Sequence, residues 1–201
     1  MILAIDTSAA VAVSLVDAGR TVGSRSEFAP RGHAELLAGF VQDVLAQAGA
    51  SGRDIESIVV GTGPAPFTGL RVGLVTARTM GFACGVPVRG VCSLDGVGAA
   101  HGDAVVVADA RRKEVYWARY AGGERVEGPA VAAPGDVPAS AVVVGRGAVL
   151  HPDTFPHAIE GDPDPAALVA VVETALAAGE TDFPTEPLYL RRPDVHGVPG
   201  A

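Results

Sequence analysis

Three consecutive strands stand ahead of the first helix, and that order limits the fold more than any other feature of this chain. Residues 2–5 are apolar, 11–16 are rich in β-branched side chains, and 21–27 alternate. Asp17-Ala18-Gly19-Arg20 reads as a tight turn between the second and third runs. A doubly wound sheet of the flavodoxin kind alternates strand and helix from its first strand. An opening meander followed by helices predicts an α/β chain built on a mixed sheet instead.

The next segment, 32–48, places Leu36, Leu37, Phe40, Val41, Val44 and Leu45 at helical spacing and stops at Gly49. A short buried strand is expected over 55–60, then a Gly/Pro-rich loop over 61–69 and a helix over 70–83 that Thr68 is placed to cap. A strand over 86–91 and a short helix over 94–100 follow. A second unit begins near Asp103: strands over 104–108, 114–120, 124–131 and 141–144, a helix over 166–178, and an extended Pro-rich tail from 185. Two lobes are therefore expected, 1–102 and 103–201. In the 114–120 strand Tyr116 and Trp117 point to opposite faces and are expected to divide between core and surface.

Charge narrows the functions open to the chain. Fifteen Lys and Arg stand against 23 Asp and Glu, a formal net charge of -8, so repulsion from phosphate is the default. Between Glu160 and Glu186 there are seven carboxylates and no Lys or Arg. An autonomous nucleic-acid binder needs a basic stripe to release counterions, so any RNA contact is expected to come from another protein. No basic n-region precedes Asp6, and no apolar run reaches the ~20 residues that span a bilayer, so a cytoplasmic protein with no membrane contact is expected. Cys84 and Cys92 lack a third ligand nearby and read as small reduced thiols.

Several motifs carry two readings. Asp6-Thr7-Ser8 either faces a phosphate and its Mg²⁺ or simply caps a turn, and the glycine a phosphate loop wants is missing from positions 7–10. His33 lacks a second metal ligand one turn on, where Leu37 stands, so a structural or interface role is favoured. The run Gly61-Thr62-Gly63-Pro64-Ala65-Pro66-Phe67-Thr68-Gly69 is followed by Leu70-Arg71 and not by the Lys-Ser/Thr of a P-loop. Gly73, Ala77 and Gly81 then recur every four residues and strip one helix face bare; the close neighbour is either this chain's own first helix or a partner's helix. Asp109-Ala110-Arg111-Arg112-Lys113-Glu114 packs charges into a turn. Gly145-Arg146-Gly147 follows an apolar strand, where backbone can approach a nucleotide.

Taken in order, residues 2–8, His33-Ala34-Glu35-Leu36-Leu37, Gly63-Pro64 with Phe67-Thr68-Gly69-Leu70-Arg71-Val72-Gly73, 88–94, 109–116 and Pro187-Leu188-Tyr189-Leu190-Arg191 resemble the TsaB (YeaZ) family. The resemblance runs from residue 1 to about 192 and departs from the family at Ala65-Pro66, where a Gly-Ser pair is usual. It implies an actin-like ATPase fold of the ribonuclease H-like class, with two lobes and mixed β-sheets. It implies a non-catalytic subunit that binds and activates the TsaD ligase, alongside the TsaE ATPase, in threonylcarbamoylation of N6 of the adenosine 3′ of the anticodon in ANN-decoding tRNAs. tRNA would be met only through the complex, ATP and Mg²⁺ would be used through the partners with no cofactor bound tightly here, and the isolated chain could form a homodimer. TsaD holds its metal with a His-x-x-x-His on the first helix; the Leu37 noted above means no metal is expected. The implied partner interface is His33, Leu36, Phe40, Leu70, Arg71, Gly73, Leu74, Ala77, Arg78 and Gly81, and a residual nucleotide cleft would comprise Asp6, Ser8, Asp109, Gly145 and Gly147. The rival class is an autonomous nucleotide-dependent kinase of this fold, or a glycoprotease-like peptidase.

Overall fold

The computed structural model describes residues 1–29 and 32–191; Arg31, ahead of the first helix, and the chain beyond 191 lie outside the described residues. The elements follow in order as β1 (Ile2–Asp6), β2 (Val11–Asp17), β3 (Arg20–Glu27), α1 (His33–Gln47), β4 (Ser57–Gly61), α2 (Phe67–Cys84), β5 (Val88–Val91) and α3 (Ser93–His101). The second half gives β6 (Ala104–Asp109), β7 (Val115–Ala121), β8 (Glu124–Ala132), β9 (Val143–Val144), the single-turn α4 (Arg146–Val149) and α5 (Pro165–Ala177). None of these helices is long and apolar enough to cross a membrane.

The first sheet has strand order β3-β2-β1-β4-β5, antiparallel through the opening meander and parallel from β1 to β4 and β5. Both of its faces are covered, and strand alternation sorts the side chains between them. Leu3, Ile5, Val13, Ile58 and Val60 face α1 and α2, which contribute Leu37, Val41, Val44, Leu70 and Leu74. Ala4, Val16 and Val59 face the other way, onto Leu168, Val169 and Val172 of α5. The turn from β2 to β3 has Ala18 at φ 46° and Gly19 at φ 73°, the two left-handed residues that a type I′ hairpin requires.

The second sheet has order β8-β7-β6-β9, with β9 parallel to β6. It too is apolar on both faces. Val106, Ala118 and Tyr120 meet Leu94 and Val97 of α3, while Val105, Val107, Val115 and Trp117 meet Ala148 of α4 and Phe155. Tyr116 and Trp117 are therefore both buried, and the expected division between core and surface does not occur.

The lobes exchange helices. α3 closes the first half of the sequence yet packs against the second sheet and against α5, which comes from the second half and covers the first sheet. Residue 102 thus separates the two sheets, but not the two packed bodies.

Two local expectations change. α2 begins at Phe67, three residues earlier than periodicity indicates, with Pro66 at its N-cap and no side-chain cap, so Thr68 lies inside the first turn. The turn between β6 and β7 carries Arg111, Arg112 and Lys113 at φ 64°, 52° and 62°. Left-handed backbone costs about 1–2 kcal/mol for each non-glycine residue, so this turn needs bracing from outside. Part of the bracing is local: Asp109 Oδ1 accepts from the Arg111 amide at 2.8 Å, and the Arg111 carbonyl accepts from Glu114 N at 3.0 Å.

Candidate partner surface and interlobe cleft

The residues expected to hold a nucleotide remnant are divided by the structure. Ser8, Asp109 and Gly145 line one cleft between the lobes, of about 250 Å³. That is below the roughly 300–1,000 Å³ typical of small-molecule sites. Gly147 lies behind the wall: a side chain there would overlap the Ala108 backbone, so its place is explained by packing of α4 on β6. The arginine between these two glycines forms the missed feature. Arg146 donates from Nε to Asp162 Oδ1 at 2.9 Å and from Nη2 to the other carboxylate oxygen. Its guanidinium carbon also lies 4.2 Å from the Phe28 ring centre. Arg146, Asp162 and Phe28 all line the cleft. A separation of 16 residues between Arg146 and Asp162 leaves no local pattern from which to foresee the pair.

Asp6 is 1% exposed at the end of β1. Its Oδ1 accepts from the Ser8 amide at 2.7 Å and the Ser8 hydroxyl at 2.6 Å. Oδ2 is buried toward Gly61, where a side chain would overlap it, and has no hydrogen-bond partner among the described residues. The capping reading of Asp6-Thr7-Ser8 accounts for this geometry. Burial raises the Asp6 carboxyl above its usual value of 3.8, against the lowering effect of Ser8 and of the nearby Ser93 hydroxyl. With the folded value above the unfolded one, the native chain binds the extra proton, so this group subtracts stability as pH rises from about 4 through the raised value. Asp6→Asn is expected to raise the melting temperature at pH 7 and to flatten that part of the stability–pH curve. A lower melting temperature at pH 7 would mean that the anion itself is required.

Thr7 explains the small-residue stripe. Its hydroxyl donates to Gly69 O at 2.9 Å and accepts from Gly73 N at 3.2 Å, joining two α2 groups that a helix ordinarily joins directly. Any side chain on Gly73 would overlap this hydroxyl, and one on Gly81 would overlap Val88. Leu70, Gly73, Leu74, Ala77 and Gly81 are all buried. The stripe packs against Thr7 and this chain's own first sheet, so these five residues are covered within the chain itself and are not on its exposed surface.

What α2 shows to solvent is different. Arg71, Val75, Arg78 and Phe82 succeed one another at spacings of 4, 3 and 4 along one face, with Val75 60% and Phe82 92% exposed. On α1, Leu36 and Phe40 are half-buried beside the core, and His33 rests on Gly69 of α2, its Nε2 about 3.0 Å from where a β-carbon would sit. Partial burial lowers the His33 pKa from the ordinary 6.5. Val75 and Phe82 were legible in principle: they lie across the helix from the Gly73/Ala77/Gly81 stripe, so turning that stripe inward turns them outward. Among the described residues no group of three or more His, Cys, Asp or Glu is placed to hold a metal ion.

Comparison with known proteins gives the lineage. The model of the TsaD family, tRNA N6-adenosine threonylcarbamoyltransferase, matches residues 16–147. A protein of Mycobacterium tuberculosis is 46% identical over 199 residues, covering 96% of this chain and 92% of its own. The Escherichia coli tRNA threonylcarbamoyladenosine biosynthesis protein TsaB is 40% identical over 126 residues, 59% of this chain and about half (54%) of that protein. Among solved structures, YeaZ from Pseudomonas aeruginosa superposes with a TM-score of 0.79 at 29% identity, over 94% of this chain and 99% of that one. An inorganic polyphosphate/ATP-glucomannokinase from Arthrobacter, at 15% identity and a TM-score of 0.50 over 88% of this chain and 98% of its own, shares the fold alone. The architecture is the actin-like ATPase fold with two mixed sheets, and the chain belongs to the TsaD family in its TsaB (YeaZ) branch.

Proposed function

We propose that this chain serves in threonylcarbamoyladenosine formation on tRNA as a non-catalytic subunit, docking on a TsaD-type ligase through the outer face of α2 with α1 beside it. The observation that carries this reading is Phe82, 92% exposed, with Val75 on the same helix face. Large apolar side chains grouped on a surface and rimmed by polar ones mark places where another protein sits. Arg71 and Arg78 supply that rim. The names of the TsaB relatives and the match to the TsaD family support the partner's identity.

The cleft supports a subunit that does no chemistry of its own. Asp6 is buried with Oδ1 held by Ser8, and Arg146 with Asp162 lines the cleft. With a net charge of -8 the chain suits meeting tRNA only within a complex, with a TsaE-type ATPase supplying the nucleotide step, in the cytoplasm. The same α2 face would pair two copies of this chain when the ligase is absent.

The test is reconstitution. With a TsaD-type ligase, a TsaE-type ATPase, threonylcarbamoyl-adenylate and an ANN-decoding tRNA, modification is expected to fall at least about tenfold when this chain is left out, the equivalent of ~1.4 kcal/mol of barrier. Undiminished modification without it, or phosphoryl or peptide-bond chemistry by the isolated chain, would overturn the proposal.

A further inference from the structure

The segment 181–191 reaches three of the molecule's apolar clusters. Phe183 sits with α5 on the first sheet, Leu188 joins the cluster under α3, and Tyr189 joins the cluster beneath α1 and α2. Its backbone is fixed at two points: Phe183 O accepts from Gly90 N at 3.1 Å, and Leu188 N donates to Thr62 O at 2.8 Å. Gly90 has to be glycine for this, because any side chain there would overlap the Pro184 carbonyl.

Its side-chain contacts reach two distant places. At α2, Arg71 Nε donates to the Tyr189 hydroxyl at 2.7 Å, and its guanidinium lies 3.6 Å from the Phe67 ring centre, which stacks on Tyr189 at 4.8 Å. Two helical turns on, Arg78 donates to Thr185 Oγ1 at 2.8 Å and pairs with Glu186 at 3.4 Å. At the other end Arg191 crosses to the second lobe. It donates to Ala110 O at 2.8 Å and pairs with Glu114 at 3.2 Å, bracketing the turn whose three middle residues are left-handed. Arg111 of that turn lines the interlobe cleft. Arg71 and Arg78, which rim the outer face of α2, are thus the same two side chains that hold the strap.

We propose that residues 181–191 form a latch through which events on the outer face of α2 reach the 110–114 turn at the mouth of the interlobe cleft. A protein docked on α2 meets Arg71 and Arg78. Drawing their guanidinium groups away from Tyr189, Thr185 and Glu186 loosens the strap, and with it the grip of Arg191 on the strained turn. This rests on the reading of α2 as the docking face, but the coupling is tested in the free chain, so a failure of the latch and a failure of the docking reading show up in different experiments.

The measurement is native-state amide hydrogen exchange of the full chain, read at Ala110 and Glu114, whose amides bond Glu114 O and Arg111 O. Arg191→Ala removes the bracket directly and is expected to speed exchange there about tenfold, as loss of a charge-assisted hydrogen bond implies. The variant carrying Arg71→Ala and Arg78→Ala, neither of which touches the turn, is expected to speed the same amides by a similar factor. If that pair quickens exchange only around 62–71 and 183–189, or if Arg191→Ala leaves the turn unchanged, the latch is refuted. Should the double variant fail to fold, Tyr189→Phe keeps the ring stack and removes only the hydroxyl held by Arg71. At the same two amides, faster exchange in that variant supports the latch and unchanged exchange refutes it.

Discussion

Leucine at both Gly73 and Ala77 is expected to unfold the chain, not to blunt a docking surface. Gly73 lies against the Thr7 hydroxyl, which ties β1 to α2 through Gly69 O and Gly73 N, and Ala77 is 0% exposed in the same core. Overpacking a close-packed interior costs about 1–3 kcal/mol per site, and a buried hydroxyl stripped of its partners a further ~1–3 kcal/mol. Together that is about 3–9 kcal/mol, against a total stability of roughly 5–15 kcal/mol for a typical domain. Urea denaturation followed by far-ultraviolet circular dichroism is expected to show either no native baseline or a midpoint far below that of the parent. A double variant with the parent's midpoint would mean that α2 is rotated from the orientation described.

Glutamate at Val75 and Phe82 is expected to do the opposite. Both side chains face solvent, and substitutions at such positions usually stay within about ±0.5 kcal/mol, so the denaturation midpoint should be almost unmoved. Binding to a TsaD-type ligase should fall about 100-fold or more, since a buried aromatic anchor at the centre of an interface is commonly worth ~2–4 kcal/mol. Calorimetric titration of the ligase with this variant is the direct check. An unchanged dissociation constant would remove the outer face of α2 from the proposed complex and leave the half-buried α1 residues as its remaining support.

These two experiments also separate what the sequence disclosed from what it withheld. The meander was legible because β1 is a short apolar run, β2 is rich in β-branched side chains and β3 alternates, and the hairpin at Ala18-Gly19 announces itself chemically. α1 was legible because its apolar positions keep one helical period. The bare face of α2 was equally visible, but a stripe of small residues states only that something comes close. That the neighbour is Thr7 and the first sheet depends on contacts between residues 66 apart in the chain. Tyr116 and Trp117 defied expectation because strand alternation predicts opposite faces without saying how many are covered. Ser8, Asp109 and Gly145 line one cleft, and Asp6 and Gly147 do not, while the pairing of Arg146 with Asp162 has no local signature. The tail gave least of all: its anchors Arg71 and Tyr189 stand 118 residues apart, and no periodicity runs through 181–191.

The exchange of α3 and α5 between the two sheets has a consequence for how such a chain can vary. Severed after Gly102, the front piece would bare Ala4, Val16 and Val59, which α5 and Phe183 cover. The rear piece would bare Val106, Ala118 and Tyr120, the ground on which α3 stands. Neither half is a module that recombination could trade for a cousin's without taking a borrowed helix along, so the two lobes are bound to be inherited, and to melt, as one.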